Sequence, residues 1–135
     1  MDPVVHFELP GIDLSRMRNF YESVFDWKTT QLGEEYGNYV TVQTCPTDSN
    51  NMITQYGSIN GGFYKRTEGF DASSQKIQST SLVIQVSNID ESLKKVSLAG
   101  GKIESKPTEM PGIGIFSTIF DTEGNRISVL QSLKK

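Results

Sequence analysis

The sequence predicts an α+β fold made of two β-α-β-β-β modules, and three observations support this prediction. The pattern of residues 81–131 indicates a strand, a helix and then three further strands. The first half of the chain shows the same order of elements, and one constant shift places Asp13 on Asn88 and His6 on Ser81. A single module of this size leaves one sheet face uncovered, so a partner sheet or a second copy is expected.

The first predicted strand covers residues 4–9 and has an alternating pattern. Val5, Phe7 and Leu9 point to one face of such a strand, whereas His6 and Glu8 point to the other. We expect the apolar face to meet the following helix. An imidazole and a carboxylate then lie side by side on the opposite, concave face.

The first helix is predicted to begin after Asp13, whose carboxylate can accept the unpaired N–H groups of the first turn. The helical pattern ends at Asp26 and Trp27. Apolar residues at helical spacing form a wide stripe, which we expect to be buried in the core. The stripe consists of Leu14, Met17, Phe20, Tyr21, Val24 and Phe25.

Four shorter strands are predicted in the rest of the first half, over residues 28–32, 38–43, 53–57 and 58–65. The last of these contains Gly61 and Gly62. Paired glycines inside a strand indicate a bulge or a close approach by another backbone or a ligand. We interpret the polar residues 67–78 as a linker between module one (about residues 1–66) and module two (about residues 79–135) of a single domain.

The second module repeats this order, with a strand over residues 81–86 and a helix that ends before Gly100. Asn88 and Glu91 resemble a capping box at the start of that helix. The later strands are predicted over residues 102–105, 114–120 and 126–130. The strand residues expected to face the helix or to share one face with each other are Leu82, Ile84, Val86, Ile127 and Val129.

Composition excludes several classes of protein. A chain of 135 residues with a net charge of −3 fits one soluble domain and has no basic footprint for nucleic acid. No apolar run approaches the roughly 20 residues that a membrane span needs, and the N-terminus has no signal-peptide pattern. Cys45 is the one cysteine, so no internal disulfide can form, and we expect a cytoplasmic protein.

Several short segments together resemble the glyoxalase/bleomycin-resistance/extradiol-dioxygenase superfamily, also called the vicinal oxygen chelate (VOC) superfamily. They are VHFELP (5–10), the Phe20-Tyr21 helix that ends before Trp27, INGG (59–62), NIDE (88–91), AGG (99–101), MPGIGIF (110–116) and DTEGN (121–125). The resemblance implies paired modules whose mixed sheets curl into an open barrel around a cavity, often completed by a second chain. We therefore expect a homodimer that binds a small molecule.

The resemblance also implies where a metal would bind. Metal-dependent members place histidine on the first strand of each module and a glutamate or similar ligand on the last. The matching positions here are His6, a glycine near Gly61 or Gly62, Ser81 and Ser128, so His6 is the only matching ligand. Serine and glycine are poor ligands for a divalent metal, so we expect no metal or other cofactor. We expect no extradiol dioxygenase activity unless two chains share one site, because that chemistry needs two histidines and the chain has one.

His6 and Glu8 are the candidate catalytic residues, since such a pair can hold a proton-transfer group in one tautomer. The alternative is a hydrogen-bonded pair that only binds or stabilises. Glu109 is expected on a loop that could cap the cavity, and Arg126 could pair with an anionic ligand or with Glu8. The full set of candidate ligand-binding residues is His6, Glu8, Tyr39, Asn60, Phe63, Glu109, Phe116, Arg126 and Ser128.

Three functions fit the sequence. The first is a VOC protein that binds a small molecule in the barrel cavity without the complete metal site. The second is a glyoxalase-type lyase or isomerase that uses His6 and Glu8. The third is an antibiotic-sequestering protein that binds a cationic drug through acidic and aromatic side chains.

Overall fold

The chain has the predicted α+β fold. A computed structural model describes residues 1–66 and 79–133. It divides into two compact units, His6–Thr80 and Met1–Val5 with Ser81–Lys135. The predicted linker, residues 67–78, lies outside the described residues. No helix in the described parts of the chain is long and apolar enough to cross a membrane.

The unit His6–Thr80 has one helix on a mixed sheet. Its strands lie in the order β2-β3-β4-β1, with β1 parallel to β4 and the other neighbours antiparallel. A short 3-10 helix over Glu34–Tyr36 lies between β2 and β3. The element bounds are β1 (Val4–Gly11), α1 (Leu14–Phe25), β2 (Lys28–Gln31), β3 (Val40–Gln43) and β4 (Asn60–Lys65).

The core of this unit lies between α1 and the sheet. Phe7 and Leu9 of β1 pack into it, which confirms the predicted alternation of that strand. The buried residues of this core are Leu14, Val40, Val42 and Phe63, and the partly buried residues against them are Phe7, Leu9, Met17, Tyr21 and Trp27.

The predicted apolar stripe of α1 is only partly buried. Leu14 is the one fully buried residue of the helix, whereas Phe20, Val24 and Phe25 are 54%, 55% and 53% exposed. The sheet meets the helix along one line at i, i+3 and i+7 spacing, which carries Leu14, Met17 and Tyr21. Phe20 and Val24 lie on the flank of that line, and Phe25 is at the end of the helix.

The prediction of a strand over residues 53–57 is wrong. Ile53 forms only an isolated bridge with Thr47. The Asp48 carboxylate instead accepts the N–H groups of Asn50 and Met52, which closes a tight turn. A short polar side chain of this kind competes with strand pairing by bonding its own backbone neighbours.

The second unit has the same arrangement. Its strands lie in the order β5-β9-β8-β6, with β7 also paired to β8, and β5 is parallel to β9. The first strand of each module is therefore parallel to the last strand of that module. The bounds are β5 (Ser81–Gln85), α2 (Ile89–Leu98), β6 (Lys102–Ile103), β7 (Thr108–Met110), β8 (Gly114–Phe120) and β9 (Arg126–Ser132).

The core of the second unit confirms most of the predicted faces. Ile84, Val86, Ile127 and Val129 all belong to it, but Leu82 is 40% exposed at the start of β5. Leu82 lies at the end of the strand that is farthest along the chain from α2, so the helix does not cover it. The other members of this core are Ile89, Leu93, Val96, Ile115 and Ile119.

Both helix caps are as predicted. The Asp13 carboxylate accepts the N–H of Arg16 at 2.9 Å, and the Asn88 side chain accepts the N–H of Glu91 at 3.0 Å. The first helical residue follows directly in each module, at Leu14 and Ile89. The constant shift seen in the sequence therefore matches equivalent positions of two modules.

Candidate functional site

The candidate site lies on the sheet face of the unit His6–Thr80 that points away from α1. His6 is paired with Asn60 and Glu8 with Gly62 in the parallel β1–β4 register. Because Phe7 packs into the core under α1, strand alternation turns both polar neighbours to the opposite face. His6 and Glu8 are both half-buried there.

Tyr39 joins His6 and Glu8. His6 Nε2 lies 2.9 Å from the Tyr39 hydroxyl oxygen, and the hydroxyl donates to Glu8 Oε1 at 3.4 Å. Tyr39 lies directly before β3, two residues from Thr41, and Thr41 pairs with Gly62. Strand pairing therefore brings Tyr39 to His6 and Glu8, which lie 33 and 31 residues earlier in the sequence.

Two adjacent glycines make room for two aromatic rings on opposite faces of β4. A β-carbon at Gly62 would overlap the phenol of Tyr39, and a β-carbon at Gly61 would overlap the ring of Phe7. The sequence predicted that a backbone or a ligand approaches these glycines closely. The close approach is present, but it is made by side chains of the same unit. The sequence did not reveal that Gly62 makes room for Tyr39, because this contact depends on the pairing of β3 with β4. The adjacent glycines Gly61 and Gly62 were the only signal of it in the sequence.

The environment favours the neutral forms of the histidine and the tyrosine. Burial lowers the pKa of His6 from its usual 6.5. Burial raises the pKa of Tyr39 above its usual value, and the charge and hydrogen bond of Glu8 raise it further. At neutral pH the cluster therefore holds an uncharged imidazole and a protonated phenol beside a carboxylate.

Asn60 lies beside this cluster but serves the following loop. Its side-chain oxygen accepts the N–H of Thr44 at 3.0 Å and the thiol of Cys45 at 3.5 Å. The Thr44 hydroxyl also donates to the Ile59 carbonyl at 2.7 Å. The amide of Asn60 therefore holds the chain after β3 in place, next to His6 in the register.

Phe63 is not a ligand-binding residue of this face. It is completely buried in the core under α1, and its ring centroid lies 5.1 Å from that of Tyr21. Alternation along β4 explains the error, because Phe63 points opposite to Asn60 and Gly62. Among the other tyrosines of this unit, Tyr36 is exposed, and the Tyr64 hydroxyl donates to the Ser79 carbonyl at 2.8 Å.

Two charged candidates in the second unit differ from expectation. Glu109 lies in strand β7, paired with Ile115 of β8, and is exposed rather than part of a loop. Arg126 pairs with Glu104 of the same unit, with Nε 3.2 Å from Oε2. The predicted strand over residues 102–105 contained Glu104, but its pairing with a residue 22 positions later has no local signal in the sequence.

Phe116 and Ser128 lie on β8 and β9 of the second unit. Phe116 is half-buried and pairs with Leu130. Ser128 is completely buried, and its hydroxyl has no hydrogen-bond partner among residues 1–66 and 79–133. Both residues lie on the face of this sheet opposite to the one that carries Ile127 and Val129.

The donor set does not fit the metal site of metal-dependent relatives. No group of three or more His, Cys, Asp or Glu side chains in the described parts of the chain could hold a metal ion. The Ser81 hydroxyl donates to the backbone carbonyl of Arg126 at 3.2 Å, and Ser128 offers only a neutral hydroxyl. Neutral hydroxyls are weak ligands beside imidazole and carboxylate.

Comparison with known families decides the assignment. The family model described as the Glyoxalase/Bleomycin resistance protein/Dioxygenase superfamily matches residues 4–129. The chain belongs to this superfamily. The resemblance to the VOC superfamily is thus confirmed, and the duplicated β-α-β-β-β modules are the fold of a VOC protein.

Solved structures with the same VOC fold include a methylmalonyl-CoA epimerase in complex with methylmalonyl-CoA and ammonium. It has 14% identity and a TM-score of 0.68, and the match covers 99% of this chain and 96% of that one. A hypothetical protein from Bacillus halodurans C-125 has 12% identity and a TM-score of 0.69, and the match covers 99% of this chain and 96% of that one. Methylmalonyl-CoA epimerase from Mycobacterium tuberculosis has 14% identity and a TM-score of 0.64, and the match covers 96% of this chain and 87% of that one. At these identities the likeness shows the fold alone. No curated protein matches the chain by sequence.

Proposed function

We propose that this VOC protein binds a small molecule at the His6–Tyr39–Glu8 cluster and does so without a catalytic metal. The observation that carries the proposal is the hydrogen-bonded chain from His6 Nε2 through the Tyr39 hydroxyl to Glu8 Oε1. Three side chains with acid–base chemistry are half-buried together on one sheet face. Such convergent polar groups are typical of ligand sites.

The free-energy cost of burying polar side chains supports a role of this cluster in binding. A buried polar group without a partner costs on the order of 1–3 kcal/mol, so polar clusters in half-buried positions are costly to build. Apolar packing would serve stability better at the face where Gly62 leaves space. The glycine instead admits a phenol whose hydroxyl bonds two polar neighbours, an arrangement that suits recognition of a polar ligand.

The metal-free part of the proposal is supported by the donor set. His6 and Glu8 are the two side chains of metal-ligand type in the cluster, and the Tyr39 hydroxyl lies between them. Tyrosine with a raised pKa stays protonated and is a poor metal ligand. We therefore propose that the protein purifies without stoichiometric zinc, nickel or iron.

A second candidate function is metal-independent proton transfer by a lyase or isomerase. The neutral imidazole of His6 can accept a proton, and the Tyr39 phenol is positioned to relay one toward Glu8. The hydrogen-bonded chain favours this candidate over the sequestration of antibiotics. We also propose a cytoplasmic homodimer, which the family membership and the single cysteine support.

The binding proposal is tested with a ligand screen that contains a fragment library, methylmalonyl-CoA and bleomycin. Hits are measured by calorimetry against Tyr39→Phe and Glu8→Gln. The matched controls are Tyr56→Phe and Glu34→Gln, because both parent residues are exposed. We expect both site variants to lose about tenfold or more in affinity, and both controls to bind like the wild type. Equal binding by all five proteins would overturn the assignment of the site.

A further inference from the structure

The cluster contains few protons, and their positions follow from its geometry. Tyr39 has one hydroxyl proton and two neighbours, His6 Nε2 at 2.9 Å and Glu8 Oε1 at 3.4 Å. A carboxylate only accepts hydrogen bonds, whereas a neutral imidazole has one N–H and one bare nitrogen. Only one assignment of the protons satisfies both contacts.

In that assignment the Tyr39 hydroxyl donates to Glu8, and His6 Nε2–H donates to the Tyr39 oxygen. The reverse tautomer would take the hydroxyl proton to His6 and leave the oxygens of Tyr39 and Glu8 facing each other with lone pairs alone. The raised pKa of Tyr39 agrees with the first arrangement, since the hydrogen bond to Glu8 is one of its causes. Burial lowers the pKa of His6, so its ring carries a single proton at neutral pH.

This arrangement uses every side-chain proton of the cluster internally. The one N–H of His6 goes to Tyr39, and the one O–H of Tyr39 goes to Glu8. The second ring nitrogen of His6, Nδ1, then has a lone pair, and it has no hydrogen-bond partner in the described parts of the chain. The cluster therefore presents lone pairs, and not donors, to a ligand.

We propose that the His6–Tyr39–Glu8 cluster selects ligands that donate hydrogen bonds, such as alcohols, amines and N–H amides, over isosteres that only accept them. This inference rests on the proposed binding function and specifies the ligand class for the same site. A site built to accept hydrogen bonds rejects an analogue that lacks the donor, because its polar groups are then left unpaired.

Gly62 is the positioning residue in this arrangement. A β-carbon at this position would overlap the Tyr39 phenol, so the ring can lie over β4 only because residue 62 has no side chain. Gly61 is a matched control in the same strand, because a β-carbon there would overlap Phe7 on the opposite face. Both glycines are buried.

The first test measures the tautomer of the ligand-free protein by long-range ¹H–¹⁵N NMR. His6 is the single histidine of the chain, so its two ring nitrogens are identified without ambiguity. We expect Nε2 to carry the proton and Nδ1 to be bare in the wild type and in Tyr56→Phe. In Tyr39→Phe the preference should fall to a mixture of tautomers. A wild-type ring protonated at Nδ1 would overturn the inference whether or not any ligand binds.

The second test compares ligand pairs that differ only in the donor: phenol with anisole, and benzamide with N,N-dimethylbenzamide. Binding is followed by the shift of the His6 Nδ1 resonance. We expect the donor of each pair to bind about tenfold more tightly, close to the value of one net hydrogen bond. Equal binding, or tighter binding of the methylated compound, would contradict the inference and leave the binding function intact.

The variants separate the two proposals. Gly62→Ala should abolish the donor preference and shift the tautomer, whereas Gly61→Ala should leave both unchanged even if it lowers stability. If Gly62→Ala does not fold, Tyr39→Phe supplies the same comparison. If no probe in the pairs or the screen binds at the cluster, the binding function fails, and the tautomer measurement still decides the proton arrangement.

Discussion

At the scale of single residues, one hydroxyl group determines the chemistry of the candidate site. The Tyr39 hydroxyl lies 2.9 Å from His6 Nε2 and donates to Glu8 Oε1 at 3.4 Å. Without it, Nε2 of the half-buried imidazole would lose its hydrogen-bond partner, which is costly. Removing this hydroxyl is therefore the smallest change that tests the site.

His6 should titrate below its usual pKa of 6.5, because burial disfavours the imidazolium. The unfolded chain then takes up a proton before the folded protein does as the pH falls below 6.5. The free energy of unfolding should consequently decrease over that range, down to the lowered pKa of the folded state. NMR titration of the single histidine measures the pKa, and His6→Ala should remove this part of the pH dependence. A midpoint at or above 6.5 would contradict the described environment.

At the scale of elements, features set by neighbouring residues could be predicted from the sequence. Asp13 and Asn88 cap their helices as expected, because a cap bonds an N–H only three residues away. The faces of β1 were also predicted, since alternation along one strand is local.

Features that depend on pairing between distant segments were not predicted. Phe63 is a candidate ligand residue from the sequence alone. Which face of the sheet it points to depends on the register between β4 and β1, in which Phe63 pairs with the core residue Leu9. Tyr39 was a candidate, but its position between His6 and Glu8 requires the β3–β4 and β1–β4 pairings together. The exposure of Phe20 likewise depends on how much of the surface of α1 the sheet covers.

Truncation of two phenylalanines tests the packing of α1 on its sheet. Phe63 is completely buried, so Phe63→Ala should lower the free energy of unfolding by about 3–5 kcal/mol. Phe20 is 54% exposed, so Phe20→Ala should cost about 1 kcal/mol or less. Denaturant unfolding of both variants gives the comparison. A larger loss of unfolding free energy in Phe20→Ala than in Phe63→Ala would contradict the described packing, because the face of α1 that carries Phe20 would then be the buried one.

At the scale of the whole molecule, the two modules repeat one topology with almost unrelated residues. The first strand is parallel to the last in each, as β1 with β4 and β5 with β9. Polar residues with acid–base chemistry are brought together at β1, where His6 and Glu8 lie, while the equivalent β5 carries Ser81. The duplication therefore explains the fold, and the proposed binding site depends on residues in which the modules differ.

We expect the protein to be a homodimer. The superfamily resemblance implies chain pairing, and α1 carries exposed apolar residues in Phe20, Val24 and Phe25. Multi-angle light scattering at micromolar and higher concentrations should give twice the chain mass of 15.0 kDa. A mass that stays at one chain over this range would contradict the expectation.

The His6–Tyr39–Glu8 cluster is proposed to bind its ligand without a metal. Calorimetric titration of the tightest hit from the screen, in buffer containing EDTA, tests it most directly, with elemental analysis of the same sample. We expect no stoichiometric metal, unchanged binding in EDTA, and a loss of about tenfold or more in affinity in Tyr39→Phe but not in Tyr56→Phe. Binding that EDTA abolishes and added metal restores, or binding that Tyr39→Phe leaves unaltered, would contradict it.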